Sequence, residues 1–188
     1  MAIQARNEVD QLLAQSLKEL AVKRPVEKIT IKEITDKAGV IRPTFYNHFQ
    51  DKFELIEWII KTEILEPIGP LLSNGMITEG MELLFSNIAK DKPFYEKIVR
   101  MDGVITFDDI AHKCVKELLL AIITELMSGK ETKHRWLTPE IIADYYAQSM
   151  CFAAEEWIRT GMVIPPREMA EAYQYIISRS MMDVINEL

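Results

Sequence analysis

The sequence contains little cysteine and glycine and no long apolar run. Its two cysteines, Cys114 and Cys151, cannot build a disulfide framework, and no secretory leader opens the chain, so we expect a reduced, cytoplasmic protein. Seven glycines favour helices over a turn-rich β-sandwich. No apolar run approaches the roughly 20 residues of a membrane span. Hydrophobic residues still make up 48% of the chain, which is enough for a buried core and excludes a disordered chain.

Catalytic and metal-binding motifs are equally scarce. The sequence has no glycine-rich phosphate loop, no nucleophile motif and no convincing pair of catalytic carboxylates. The strongest metal candidate combines Asp108 and His112, which share a helix face, with Cys114. However, residues two apart, such as His112 and Cys114, point apart on a helix. We therefore expect no enzymatic activity, no cofactor and no metal.

Charge is unevenly distributed along the chain. The net charge is −7, yet residues 1–60 carry 9 basic and 9 acidic side chains. Residues 61–188 carry 13 basic and 20 acidic side chains, and the segment 23–52 alone has an excess of three positive charges. Because attraction to phosphate is local and screened by salt, an acidic remainder does not exclude nucleic-acid binding by this basic segment.

Residues 30–50 have the pattern of a helix-turn-helix. Thr30 and Glu33 form a capping box, which predicts that the first helix begins at Ile31. Gly39 is typical of the residue that ends a helix. The second helix is predicted at about 42–48, and Pro43 stands in its first turn, where the missing N–H costs little.

The second helix of such a motif lies in the major groove and presents its N-terminal residues to base edges. Arginine can pair with guanine, asparagine with adenine, and threonine or proline can contact a thymine methyl group. The candidate base contacts are therefore Arg42, Pro43, Thr44 and Asn47. Candidate phosphate contacts are Thr30, Tyr46, His48 and Lys52. Phe45 and Phe49 are four residues apart and face the core, and His48 is also compatible with a simple surface histidine.

Caps and apolar periodicity predict helices throughout the rest of the chain, which gives an all-α protein with about nine helices. One of them, at about 52–65, is expected to end before Pro67 and Pro70. The last is expected to continue from Pro165-Pro166 to the C-terminus. The other predicted helices are about 6–22, one from Thr78 through Ile88, a short one from Asp91 to Met101, 106–127 and 139–160.

The helix at 139–160 and the last helix are rich in apolar residues. A helix buried on every side needs partners on every side, so this pair is a candidate for a four-helix dimer interface with a second copy. A well-buried internal helix pair explains the pattern equally well. The candidate interface residues are Ile142, Tyr146, Ala153, Trp157, Tyr173, Ile177 and Met181.

The motif Thr30-Ile-Lys-Glu-Ile-Thr-Asp-Lys-Ala-Gly-Val, followed by Pro43-Thr-Phe-Tyr-Asn-His-Phe-Gln-Asp-Lys-Phe-Glu-Leu, resembles the DNA-binding domain of the TetR family of bacterial transcriptional regulators. The resemblance covers about residues 5–58. It implies a three-helix DNA-binding domain, a linking fourth helix and a C-terminal domain for ligand binding and dimerisation. It also adds Lys32 to the base contacts. Ile41 departs from the family pattern, since many relatives have a serine or threonine cap there.

The C-terminal half is similar to a subgroup that includes regulators of dihydroxyacetone-kinase operons, through Trp157-Ile-Arg-Thr-Gly-Met and Pro165-Pro-Arg-Glu-Met-Ala. Some members of that subgroup respond to a partner protein instead of a small molecule. We therefore expect a repressor that binds a palindromic DNA operator as a homodimer, under the control of a small-molecule effector or, alternatively, of a docked partner protein.

The predicted domains are residues 1–50, which bind DNA, and residues 51–188, which bind the effector and dimerise. The candidate pocket residues are apolar side chains of the body. Apolar helix residues are more often part of the core than ligand contacts, so a core position is the alternative for each of them. They are Met81, Phe85, Phe107, Ile110, Cys114, Tyr145 and Met150.

Overall fold

The computed structural model describes residues 2–130 and 133–187, with side chains from residue 7 onward. It is all-helical, as predicted, and contains no strand in the described residues. None of the described helices is long and apolar enough to cross a membrane. Met1 of the predicted DNA-binding domain, and residues 131–132 and Leu188 of the predicted effector-binding domain, lie outside the described part. The helices are α1 Ala2–Ala21, α2 Ile31–Ala38, α3 Arg42–His48, α4 Lys52–Ile59, α5 Glu66–Ser73, α6 Ile77–Lys90, α7 Lys92–Ile98, α8 Phe107–Met127, α9 Pro139–Arg159, α10 Pro166–Ile177 and α11 Met181–Glu187.

The N-terminal head consists of α1, α2 and α3, which pack against one another. Its centre is formed by side chains without solvent exposure, among them Leu17, Ile34 and Phe45. The capping box is confirmed: the Thr30 hydroxyl accepts a hydrogen bond from the Glu33 amide, and the Glu33 carboxylate accepts one from the Thr30 amide. Gly39 follows α2 with φ of 72°, a left-handed conformation that glycine adopts without strain.

The fourth helix is longer than predicted. A π-helical segment, Ile60–Leu65, joins α4 directly to α5, so one continuous helix runs through Pro67 and Pro70 to Ser73. Pro67 has no N–H for the carbonyl of Glu63 four residues earlier. The side-chain amide of Asn87 on α6 donates to that carbonyl at 3.2 Å. The predicted end near residue 65 was therefore wrong, because a residue distant in sequence replaces the bond that proline cannot make.

The last predicted helix is broken in two. α10 ends at Ile177, and Ser180 begins α11 by accepting a hydrogen bond from the Asp183 amide, while Asp183 accepts from the Ser180 amide and hydroxyl. The expectation of one helix to the C-terminus was wrong because Ser180 and Asp183 form a capping box of their own at the break.

The C-terminal body is built on two long helices, α8 and α9, which pack along each other, while α10 packs on α6. Trp157 of α9 is buried against Phe85 of α6, with ring centroids 5.1 Å apart, and its indole N–H donates to the carbonyl of Ile164 at 2.8 Å. Trp157 and Phe85 belong to a buried apolar cluster that runs through both head and body, and the continuous helix from Lys52 to Ser73 connects the two.

Candidate DNA-binding surface and the helical body

Helix α3 turns a polar face outward. Phe45 and Phe49 are 0% and 5% exposed and fix α3 against the head. Arg42, Pro43 and Asn47 are exposed, whereas Thr44 is half-buried. The candidate base contacts on α3 thus lie on or beside the face opposite its buried phenylalanines.

Arg42 and Tyr46 are already paired on this face. The Arg42 guanidinium donates to the Tyr46 hydroxyl at 2.9 Å and lies 5.4 Å from the centre of the ring. The pairing orders two long side chains one turn apart, which reduces the conformational entropy lost when they meet DNA. Ile41 precedes α3 without a side-chain cap and is 69% exposed.

The start of α2 carries two further candidates. The Thr30 hydroxyl is engaged with Glu33 in the capping box. The Lys32 ammonium is exposed and lies 2.6 Å from Asp36 on the same helix. Arg24 contacts Glu33 at 2.6 Å, and hydrogen bonds from Arg24 and Thr30 lower the pKa of Glu33 to about 2.

His48 and Lys52 take part in the internal structure of the head. His48 Nδ1 lies 2.6 Å from the carboxylate of Asp10 on α1, and both side chains are nearly buried. The Lys52 ammonium donates to the carbonyls of Val26, Glu27 and Ile29 at 2.8–2.9 Å. Desolvation by burial lowers the pKa of Lys52. Their roles as phosphate contacts stay predictions, and for Lys52 such a contact requires exchange of one of these bonds.

A salt bridge that sequence reasoning missed joins head and body. The Lys18 ammonium on α1 contacts both oxygens of Glu63 in the π-helical segment at 2.9 Å and Asp91, between α6 and α7, at 2.8 Å. The lysine side chain is only 12% exposed. Burial opposes its charge, but the hydrogen bonds to Asp91 and Glu63 together outweigh burial, so the pKa of Lys18 is raised. No local pattern marks this cluster, because its members lie 45 and 73 residues from Lys18.

The predicted effector-pocket residues do not surround one cavity. Met81 and Met150 line a cleft of about 330 Å³ between α5, α6, α8, α9 and α10. Phe107 and Met150 line a separate inner cavity of about 40 Å³. Phe85, Ile110 and Cys114 are buried but line neither space. Tyr145 is 70% exposed on the outer side of α9, where it lines a separate open groove with Phe152, and its role as a pocket residue stays a prediction.

The candidate interface residues are divided between the two sides of α9 and α10. Trp157 and Tyr173 are 3% and 6% exposed and pack within the body, and their assignment to the interface stays a prediction. Ile142, Tyr146 and Ile177 line the 330 Å³ cleft. Ala153 is half-buried, and Met181 is 72% exposed on α11. Three other large apolar side chains face outward instead, at exposures of 60–70%: Tyr145 and Phe152 of α9 and Ile176 of α10.

Comparisons with known proteins agree with this architecture. The family model for bacterial regulatory proteins of the tetR family matches residues 15–59. A model for a transcriptional regulator C-terminal region, TetR_C_8, matches residues 76–179. The chain therefore belongs to the TetR family of bacterial transcriptional regulators, and it is a regulator and not an enzyme.

Individual relatives are distant. The HTH-type dhaKLM operon transcriptional activator DhaS of Lactococcus lactis is 26% identical over 153 residues, which is 80% of each chain. The structure of the dihydroxyacetone kinase operon activator DhaS has a TM-score of 0.59 at 24% identity, covering 90% of this chain and 92% of that one. The structure of NalD, the secondary repressor of a multidrug efflux pump in Pseudomonas aeruginosa, has a TM-score of 0.64 at 16% identity, covering 93% of this chain and 96% of that one. The structure of FadR of Bacillus subtilis in complex with stearoyl-CoA has a TM-score of 0.56 at 15% identity, covering 87% of this chain and 94% of that one. These structures establish the fold.

Proposed function

We propose that the protein is a homodimeric repressor that binds a palindromic operator and is released by a small-molecule effector. The exposed first turn of α3 carries the proposal. Arg42, Pro43 and Asn47 are presented to solvent on a helix that Phe45 and Phe49 hold rigidly. In this proposal they read base edges together with Thr44 and Lys32, while Thr30, Tyr46, His48 and Lys52 lie along the phosphates. In this proposal residues 1–50 bind DNA and residues 51–188 bind the effector and dimerise, and α4 begins at Lys52 just after that boundary.

Gel-shift measurements on DNA from the protein's own upstream region, over a range of salt concentrations, test the DNA contacts. Replacing Arg42 or Asn47 by alanine is expected to weaken specific binding by about 1–3 kcal/mol per lost base contact. Arg167→Ala removes the same charge from an exposed position on α10 and serves as the control. Operator binding that both head variants retain in full would contradict the contact assignment.

The homodimer is supported by the outward apolar face of Tyr145, Phe152 and Ile176, because exposed aromatic and aliphatic side chains on adjacent helices are typical of interfaces. Of the interface residues expected from the sequence, Ala153 lines the same groove as Phe152 and Ile176. A dimer would place its two α3 helices on half-sites about 34–36 Å apart. Phe152→Glu is expected to yield monomers in analytical ultracentrifugation. The control Val163→Glu, at a similarly exposed position, should stay dimeric. A Phe152→Glu protein that is still dimeric would refute the assignment of this face as the dimer interface.

Effector control would act through the continuous helix from Lys52 to Ser73, which enters both the head and the body. An effector that binds one arrangement of head and body better than the other shifts the population toward it. The similar fold of FadR, whose structure contains stearoyl-CoA, supports a body of this kind as a ligand site.

The sign of regulation needs its own test, since DhaS is named an activator and NalD a repressor. A reporter gene placed behind the operator should be less active when the protein is present and should recover with the effector. Higher reporter activity in the presence of the protein would make it an activator. Recovery that requires a second protein would support the docking alternative.

A further inference from the structure

We propose that Asp10 of α1 is a positioning residue for DNA binding: it holds His48 so that the second ring nitrogen, Nε2, is protonated and donates to a DNA phosphate. DNA binding then takes up a proton. The proposal rests on the proposed function in taking His48 as a phosphate contact. It adds a residue of α1 to the DNA-binding apparatus and makes the affinity for DNA depend on pH.

Asp10 is a buried carboxylate with one partner. It is 7% exposed, and few other polar side chains in the described part of the chain are buried. Its Oδ1 atom lies 2.6 Å from Nδ1 of His48, and no other described side chain bonds to it. A buried carboxylate without a partner is unfavourable, so this contact fixes the imidazole ring against α1.

The chemistry of this contact determines the protonation state in which His48 can bind phosphate. A carboxylate only accepts hydrogen bonds, so the proton of a neutral imidazole lies on Nδ1 and leaves a lone pair on Nε2. A phosphate oxygen also only accepts, and it repels that lone pair. A hydrogen bond from Nε2 to phosphate therefore requires a second proton on the pair. The count is the same whichever atom, Oδ1 or Nδ1, carries the proton between them.

His48 is placed where a DNA phosphate can reach its ring. It is the last residue of α3 and follows Thr44 by four positions, so both lie along one edge of the helix, between the buried and the exposed face. Nε2 makes no hydrogen bond to the described residues and retains contact with solvent. The unpaired carbonyl groups at the end of a helix also favour a positive charge there.

The other charged groups of the surrounding elements are engaged with other partners. Asp51, in the turn after α3, accepts hydrogen bonds from the Phe53 and Glu54 amides, and the Lys52 ammonium is bonded to carbonyl groups. The charged side chains of α2, which also packs against α3, form ion pairs elsewhere: Lys32 with Asp36, Glu33 with Arg24 and Lys37 with Glu19. Within the described part, Asp10 is therefore the charged group that controls the protonation of His48.

The pH dependence of DNA binding tests the proposal. The probe is a short duplex of mixed sequence at low salt, because phosphate contacts do not depend on sequence. Fluorescence anisotropy at constant ionic strength should show that affinity falls at least about five-fold between about pH 6 and pH 8, as the second proton is lost. Calorimetry in two buffers of different ionisation enthalpy should show net proton uptake on binding. An affinity that does not change with pH, or the absence of uptake, would overturn the proposal.

Replacing Asp10 by asparagine separates positioning from a structural role. Asp10→Asn keeps an oxygen that accepts from Nδ1 but removes the negative charge, so the fall in affinity should move to lower pH. The control Glu8→Gln removes the same charge from an exposed position of α1 and should leave the profile unchanged. An Asp10→Asn protein with the wild-type profile, or one weakened equally at every pH, would refute the positioning role.

Replacing His48 by glutamine is a second test, which decides the question if Asp10→Asn does not fold. His48→Gln removes the titrating ring, so the DNA affinity that remains should no longer fall between about pH 6 and pH 8. His134→Gln, at an exposed position between α8 and α9, removes a histidine outside the head and should keep the wild-type profile. A His48→Gln profile that still falls like the wild type would rule out His48 as the site of proton uptake.

Failure of this proposal is distinguishable from failure of the proposed function. Specific gel shifts on the protein's own upstream DNA, combined with an affinity that does not vary with pH, would overturn the proton uptake alone. Binding to the mixed duplex that depends on pH through His48, without a specific shift on any upstream DNA, would overturn the proposed operator binding alone.

Discussion

Replacing Lys18 by methionine tests the junction between head and body. Methionine keeps an apolar stem of similar length and removes the ammonium that contacts Glu63 and Asp91. Exposed ion pairs contribute about 0.2–1 kcal/mol each, whereas breaking a buried pair costs about 3–5 kcal/mol. The lysine is 12% exposed, but its partners are 33% and 39% exposed. We therefore expect a loss of about 2 kcal/mol, between these limits.

The assay is urea unfolding followed by circular dichroism, with Lys97→Met on α7 as the control. Lys97 is exposed, so its replacement should change stability by less than about 0.5 kcal/mol. The variant that combines Glu63→Gln with Lys18→Met should lose less stability than the sum of the losses of the two single variants, because both changes remove the same contact. Equal unfolding midpoints for the Lys18 and Lys97 variants would refute the reasoning.

The pH dependence of this contribution has a definite sign. The pKa of Lys18 is raised in the folded protein from its usual 10.5. The lysine is therefore charged in both states at neutral pH, and its stabilisation is fully present below 10.5. The stabilisation is lost only as pH rises through the folded-state pKa. The difference between wild type and Lys18→Met should consequently be constant from about pH 7 to pH 9.

Three further predictions concern single sites. Lys52→Met should lower stability by about 3 kcal/mol in urea unfolding, since two partly buried carbonyls lose a charged donor; a loss below about 1 kcal/mol would show that water replaces the ammonium. Thr30→Ala should lower the free energy of unfolding by about 1 kcal/mol, and Thr30→Ser should lower it much less, because serine retains the capping hydroxyl. Burial raises the pKa of Cys114 and Cys151 to about 12, so neither thiol should react with a disulfide reagent at about pH 8 until urea unfolds the protein.

Elements controlled by neighbouring residues could be predicted from the sequence. The capping box of Thr30 and Glu33, the left-handed Gly39 and the extent of α3 all depend on residues within a few positions. Such contacts leave a fixed spacing in the sequence, which explains the agreement. The same logic would have found the break at Ser180, whose aspartate partner stands three residues later.

Faces of apolar helices could not be assigned in the same way. Both sides of α9 carry large apolar residues, and helical periodicity alone does not show which side meets the chain's own core. Trp157 is buried by Phe85 of α6, a contact between residues far apart in sequence. Phe152, on the other side, is 69% exposed. The predicted interface and pocket residues were consequently mixed between the core, the cleft and the outer face.

Glu63 shows why the connection between the two domains was beyond local reasoning. Its carbonyl lacks a donor in α-helical register because of Pro67 and accepts from Asn87 of α6 instead. Its carboxylate accepts from Lys18 of α1. One residue of the connecting helix is thus bonded through its main chain to the body and through its side chain to the head. The Lys18 ammonium also contacts Asp91 at the end of α6. The position of α1 relative to the body therefore depends on side chains from three separate stretches of the sequence, none of which could be paired from local spacing.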